Sequence, residues 1–180
     1  MKRLLFPVLV LLFVGALAFS EGAPRSGDIG IQGGVVFTNL GNIGISPNGT
    51  LGVKYFINDN IALRGGFGIV NVAAGGASTT GYAFGAGFEY HFGGVKGGVS
   101  PYVGAALSYS TESLSGGAPA ASDLGIKAMF GAEYFFSNNF SWAGELGLGY
   151  DSFYNPGPPA TTTTSIGTIG FGSFLTYYLN

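Results

Sequence analysis

His91 is the only histidine of the chain, and imidazole is the side chain that most often moves protons near neutral pH. Together with a serine and an acid, which the chain also contains, it could act as a general base. One histidine does not make a zinc site by itself, and the absence of cysteine excludes thiolate metal sites, disulfides and a cysteine nucleophile. We therefore expect no metal and no cofactor, and we favour a hydrogen-bonded structural histidine over a catalytic one.

The composition argues against an ordinary water-soluble domain. Charged residues make up 9 % of the 180 residues, whereas soluble domains carry about 25 %. The apolar fraction of 47 %, with 15 % aromatic residues, excludes a disordered chain. A net charge of −2 provides no basic footprint for a nucleic-acid partner. Something other than water must cover much of the surface.

The N-terminal residues have the layout of a secretory signal peptide. Two basic residues precede an apolar run, Leu4 to Ala18, and small residues end it just before polar Glu21. The run is shorter than the roughly 20 apolar residues of a transmembrane helix, and it contains Pro7. We predict a cleaved signal peptide over residues 1–20 and one domain over residues 21–180.

Beyond residue 20, apolar residues alternate with small or polar ones at a period of two, which is the pattern of a half-buried β-strand. The alternation predicts eight strands, over residues 29–37, 51–57, 61–70, 81–92, 101–110, 125–136, 140–150 and 169–180. The 160 residues after the predicted signal peptide leave about 20 for each strand with its connection, which accommodates the roughly 9 to 11 residues that a tilted membrane strand needs. The chain is therefore expected to form one domain of eight strands.

The charged residues decide which face of these strands meets lipid. Six of them lie well inside strands, all opposite the aromatic and aliphatic stripe: Lys54, Arg64, Glu89, Lys127, Glu133 and Glu145. The face that carries them is otherwise mainly Gly, Ala and Ser, which would solvate a soluble barrel poorly. We therefore favour a membrane barrel with apolar side chains outward and these charges in a narrow lumen. There they should form a neutral network of three bases and three acids, and the alternative is a gate whose pairs exchange to open a pore.

The connections between strands alternate in length. Short turns at residues 58–60 and 137–139 contrast with links of roughly ten residues or more, which predicts both chain ends on the periplasmic side. Aromatic residues then gather at that end as an interfacial girdle: Tyr55, Tyr90, Phe92, Tyr134, Phe136, Phe140, Trp142 and Tyr177. Four more point inward near the same end, and we predict that they help to close the lumen: Phe56, Tyr102, Phe135 and Tyr178.

In these features the chain resembles the small eight-stranded outer-membrane β-barrels of bacteria, such as OmpX and the membrane domain of OmpA. Their last strand carries an alternating apolar signature that the barrel-assembly machinery reads, and Phe171, Leu175, Tyr177 and Leu179 fit it, although the usual terminal aromatic residue is missing. The resemblance implies an all-β, antiparallel up-and-down barrel in the bacterial outer membrane. It also implies a monomer whose partners are outer-membrane lipid and the assembly machinery.

The sequence favours a non-enzymatic protein with a structural or surface-interaction role through its external loops. The last of these, residues 152–165, is neutral and rich in proline, and it offers a candidate binding epitope: Phe153, Tyr154, Pro156, Pro158 and Pro159. Two alternatives stay open. One is a narrow solute channel through the charged lumen. The other is a lipid A-modifying enzyme that uses His91, although that residue is expected near the periplasmic end, far from a substrate in the outer leaflet.

Overall fold

The eight strands of the chain close into one barrel. A computed structural model describes residues 26–37, 50–74, 77–92, 98–114 and 120–179. The strands are β1 (Ile29–Phe37), β2 (Thr50–Asn58), β3 (Ile61–Ala74), β4 (Ala77–His91), β5 (Gly98–Leu114), β6 (Ala121–Phe135), β7 (Phe140–Asn155) and β8 (Thr161–Leu179). Each strand pairs antiparallel with its neighbours in sequence, and β1 pairs with β8. The predicted fold class is confirmed, whereas the predicted signal peptide lies outside the described residues. Among the described residues, we find no helical segment that could span a membrane.

Strands β3 to β8 extend further from the short turns than the alternation predicts. The segment expected to be the last external loop is largely strand, because β7 continues to Asn155 and β8 begins at Thr161. Beyond the membrane both faces of a strand meet water, so its outer end needs no apolar period. Threonine and aromatic residues still favour extended backbone there. The sequence pattern therefore detects the membrane-embedded part of each strand and misses its outer continuation.

The two faces of the barrel wall differ as predicted. Along β6, the outward side chains Leu124, Ile126 and Phe130 are exposed, whereas the inward side chains Glu133 and Phe135 are completely buried. An exposed surface this rich in large apolar side chains suits acyl chains rather than water. The inward face builds the core, which lies in the lumen of the barrel.

Candidate functional site

The lumen has two halves of different character, and the lower half is the one next to the short turns at residues 59–60 and 136–139. In the upper half, a Cβ added at Gly66, Gly68 or Gly85 would meet no atom closer than 3.7 Å. The lower half contains large side chains without exposed surface, among them Lys54 and Tyr102. The space above is local, because a Cβ at Gly125 would collide with Ser108 and Asp151, whereas large buried side chains fill the lumen below.

The lower half is organised around Lys54 of β2. The strand register pairs Lys54 with Arg64 of β3, as the sequence predicts, and directly opposed like charges destabilise a sheet unless acids compensate. The Nζ atom of Lys54 lies 2.5 Å from Oε2 of both Glu89 and Glu133, and all three side chains are buried. The rings of Phe56 and Tyr102 lie 5.2 and 5.6 Å from the same ammonium. Lys54 is therefore enclosed by two carboxylates and two aromatic rings.

A second cluster continues this network upward. Arg64 donates hydrogen bonds of 2.7 Å to Oε1 of Glu89 and Oε2 of Glu145. Lys127 donates one of 2.9 Å to Oε1 of Glu145, and the Tyr102 hydroxyl donates one of 3.1 Å to Oε2. The side chains of Arg64 and Lys127 are 13 % and 30 % exposed, whereas that of Glu145 is buried. The structure thus brings all six candidate lumen charges together, with only the upper bases partly accessible to water.

His91 of β4 lies at the bottom of the network. Its Nε2 atom is 3.0 Å from Oε2 of Glu89, and its Nδ1 atom is 2.9 Å from the Ser100 hydroxyl. A neutral imidazole with its proton on Nε2 donates to Glu89 and accepts from Ser100. The order Ser100, His91, Glu89 resembles the nucleophile, general base and acid of a catalytic triad. Both Ser100 and His91 are buried, however, so a substrate in solution cannot reach them.

The four aromatic residues predicted to close the lumen are completely buried, but they fall into two groups. Phe56, Phe135 and Tyr178 pack together with Ala62 at the short-turn end. Ring centroids there are 6.0 Å apart between Phe56 and Tyr178 and 6.2 Å apart between Phe135 and Tyr178. Tyr102 packs higher in the lumen, in a separate cluster with two other buried residues. The lower mouth is therefore filled by three rings.

Sequence reasoning did not assign Ser141 or Phe174 to the site, and it predicted Tyr178 only as a residue that closes the lumen. Ser141 and Tyr178 each donate a hydrogen bond to Oε1 of Glu133, at 2.5 and 2.7 Å. Phe174 lies beneath the Arg64 guanidinium, with 4.9 Å between Cζ and the ring centroid. The alternation of side chains along a strand could have identified Ser141 and Phe174. Ser141 shares the inward face of β7 with Glu145, and Phe174 shares the inward face of β8 with Tyr178.

The candidate epitope lies partly in a strand. Phe153 and Tyr154 belong to β7, and only Pro156, Pro158 and Pro159 lie in the connection to β8. Successive residues of a strand point to opposite faces, so Phe153 and Tyr154 do not share one surface. Both are 43 % exposed. The predicted placement of these two residues in a loop is therefore wrong, and an epitope at this end can use only one of them together with the prolines.

Comparison with known proteins agrees with this architecture. No curated protein is similar enough in sequence to count as a relative. Among solved structures, the N-terminal β-barrel domain of OprF from Pseudomonas aeruginosa shares 17 % identity at a TM-score of 0.53, covering 86 % of this chain and 98 % of that one. The outer membrane protein OprG from Pseudomonas aeruginosa shares 14 % identity at a TM-score of 0.52, covering 88 % of this chain and 98 % of that one. At these identities the likeness concerns the fold. The profile of the outer membrane protein beta-barrel domain matches residues 6–172. The chain therefore belongs to this family of bacterial outer-membrane β-barrels.

Proposed function

We propose that this protein is a non-conducting, non-enzymatic barrel that anchors its upper strand ends and connections at the cell surface, where they meet external partners. The observation that carries the proposal is the filled lower lumen. Its side chains expose no surface at all: Lys54, Phe56, Glu89, His91, Tyr102, Glu133, Phe135 and Tyr178. Ion conduction needs a continuous path of water, and these side chains interrupt it.

A narrow solute channel is the second candidate, and the space beside Gly66, Gly68 and Gly85 in the upper lumen favours it. Opening the lower half would require Lys54 to leave both of its carboxylates. Breaking a buried ion pair costs about 3–5 kcal/mol. A conformation that is about 3 kcal/mol above the ground state is populated less than about once in a hundred molecules. The ion-pair network therefore favours a closed lumen, and it argues against a channel that is open at rest.

Conductance in planar lipid bilayers tests the closed lumen. The wild-type protein is expected to give no long-lived conductance. The charge-neutral double variant Lys54→Ser, Glu133→Ser removes the centre of the lower network and is expected to admit ions. Lys127→Ser is the control, because it truncates a partly exposed side chain above the filled region. Long-lived openings of the wild-type protein would contradict the proposal.

Surface display requires the β7–β8 connection to lie outside the cell, and a short peptide tag tests this. A tag inserted after Gly157 is expected to bind antibody on intact cells, because the connection at residues 156–160 lies at the upper end. A tag inserted after Asn138, in a short turn, should be detected only after the outer membrane is permeabilised. The reverse pattern, or equal labelling of both tags on intact cells, would refute the proposed orientation.

A further inference from the structure

We propose that Glu89, His91 and Glu133 form a three-ligand site for a divalent transition-metal ion, and that the ammonium of Lys54 occupies this site in the wild-type chain. One ligand atom from each of the three side chains lies within 4.8 Å of the other two, and all three residues are buried. Two carboxylates and one imidazole are a donor set that zinc accepts, with the fourth position left open.

The separations between the ligand atoms suit a tetrahedral ion. Zinc bonds of about 2.0–2.2 Å place tetrahedral ligand atoms roughly 3.3–3.6 Å apart. The Nε2 atom of His91 lies 3.0 Å from Oε2 of Glu89 and 3.9 Å from Oε2 of Glu133. The Lys54 ammonium, 2.5 Å from both of these oxygens, shows that a cation already lies between them.

The imidazole is oriented as a metal ligand would be. Its Nε2 atom points at the two carboxylates, while Nδ1 faces the Ser100 hydroxyl at 2.9 Å. Histidine ligands usually donate the proton of their second nitrogen to a neighbouring polar group, which fixes the ring. Ser100 can accept that proton when Nε2 binds an ion, because a hydroxyl both donates and accepts.

The carboxylates are held in the same way. Oε1 of Glu89 accepts a hydrogen bond from Arg64, and Oε1 of Glu133 accepts hydrogen bonds from Ser141 and Tyr178. The Oε2 atom of each glutamate therefore points at the shared cation. Such outer contacts orient metal ligands before the ion arrives. In the wild-type barrel the Lys54 ammonium therefore lies where a divalent ion would bind, between the two carboxylates. The wild-type network needs no metal ion.

Refolding into detergent micelles with cobalt(II) or zinc(II) tests the site on three proteins. These are the wild type, Lys54→Ala, and Lys54→Ala combined with His91→Leu. The Lys54→Ala variant is expected to bind one equivalent of cobalt(II) with the visible spectrum of a tetrahedral ion, and zinc(II) should raise its thermal midpoint. The wild type should show neither effect. In a fourth protein, Lys54→Ala combined with Ser100→Ala, metal binding should be weaker by about 10–100-fold.

Each other outcome overturns a part of the inference. If Lys54→Ala binds no metal, or binds it equally well after His91→Leu, the three residues are not the ligand set. If the wild type binds the ion as tightly as Lys54→Ala, the ammonium is not the occupant. If Lys54→Ala does not fold alone, heat-modifiable migration on a gel should show that zinc(II) restores folding only while His91 is present. Failure of this rescue would also refute the site.

Discussion

Replacement of Lys54 by methionine is expected to lower the free energy of unfolding by about 3–5 kcal/mol. Methionine keeps most of the side-chain volume and removes the charge, so Glu89 and Glu133 lose the cation that lies 2.5 Å from each of them. Both carboxylates are completely buried, and water cannot replace the lost partner without opening the lower lumen. Reversible urea unfolding in lipid vesicles measures the change.

Lys127→Met is the matched control for this variant. It also removes one lysine charge from the lumen, but the Lys127 side chain is 30 % exposed. Its partner Glu145 keeps the hydrogen bonds from Arg64 and Tyr102. A partly exposed ion pair contributes about 1 kcal/mol or less, so the loss should be several times smaller than that for Lys54→Met. An equal loss of unfolding free energy in the two variants would mean that water reaches Lys54 as readily as Lys127, and it would contradict the buried lower network.

Substitution of Phe130 by arginine is expected to destabilise the barrel by about 2–4 kcal/mol in vesicles. Phe130 lies near the middle of β6 on the outward face, and its side chain is 59 % exposed. In a membrane this exposed side chain contacts acyl chains near the bilayer centre, where a guanidinium has no partner. Unfolding in urea compares the variant with the wild type.

Leu124→Arg controls for the position in the membrane. Leu124 lies on the same face of β6, towards its upper end, and it is also exposed. Arginine near an interface costs about 0–1 kcal/mol, because the side chain reaches the headgroups. A small and equal effect at both positions would place Phe130 in water and contradict the lipid-facing orientation.

The membrane-embedded part of this fold can be predicted from the sequence because lipid imposes a strict pattern. Each strand must present apolar residues outward, so the period of two identifies the strands, and the charged residues identify the inward face. The same argument fails above the membrane, where water meets both faces. This is why Phe153 and Tyr154 are assigned to a loop by the pattern, whereas the structure places them in β7.

The partners within the lumen can be predicted only between neighbouring strands. Arg64 and Glu89 lie on adjacent strands at similar depth, and their ion pair follows from counting residues from the turns. Lys54 meets Glu133 across the lumen, from β2 to β6, and this contact depends on the tilt and stagger of the whole barrel. The contacts of His91 are limited in the same way. Glu89 is its neighbour along β4 and can be predicted as a partner, whereas Glu133 comes from β6, which is not adjacent to β4.

Nitroxide labels along β6 test the outward apolar face most directly. The chain contains no cysteine, so single cysteines at positions 126 to 130 can be labelled one at a time in lipid vesicles. Oxygen, which dissolves in acyl chains, and a water-soluble nickel complex then report the surroundings of each label. Even-numbered positions are expected to be accessible to oxygen and shielded from nickel, and odd-numbered positions shielded from oxygen. Even-numbered labels that nickel reaches as readily as oxygen, or a profile without alternation, would contradict a barrel whose apolar side chains face lipid.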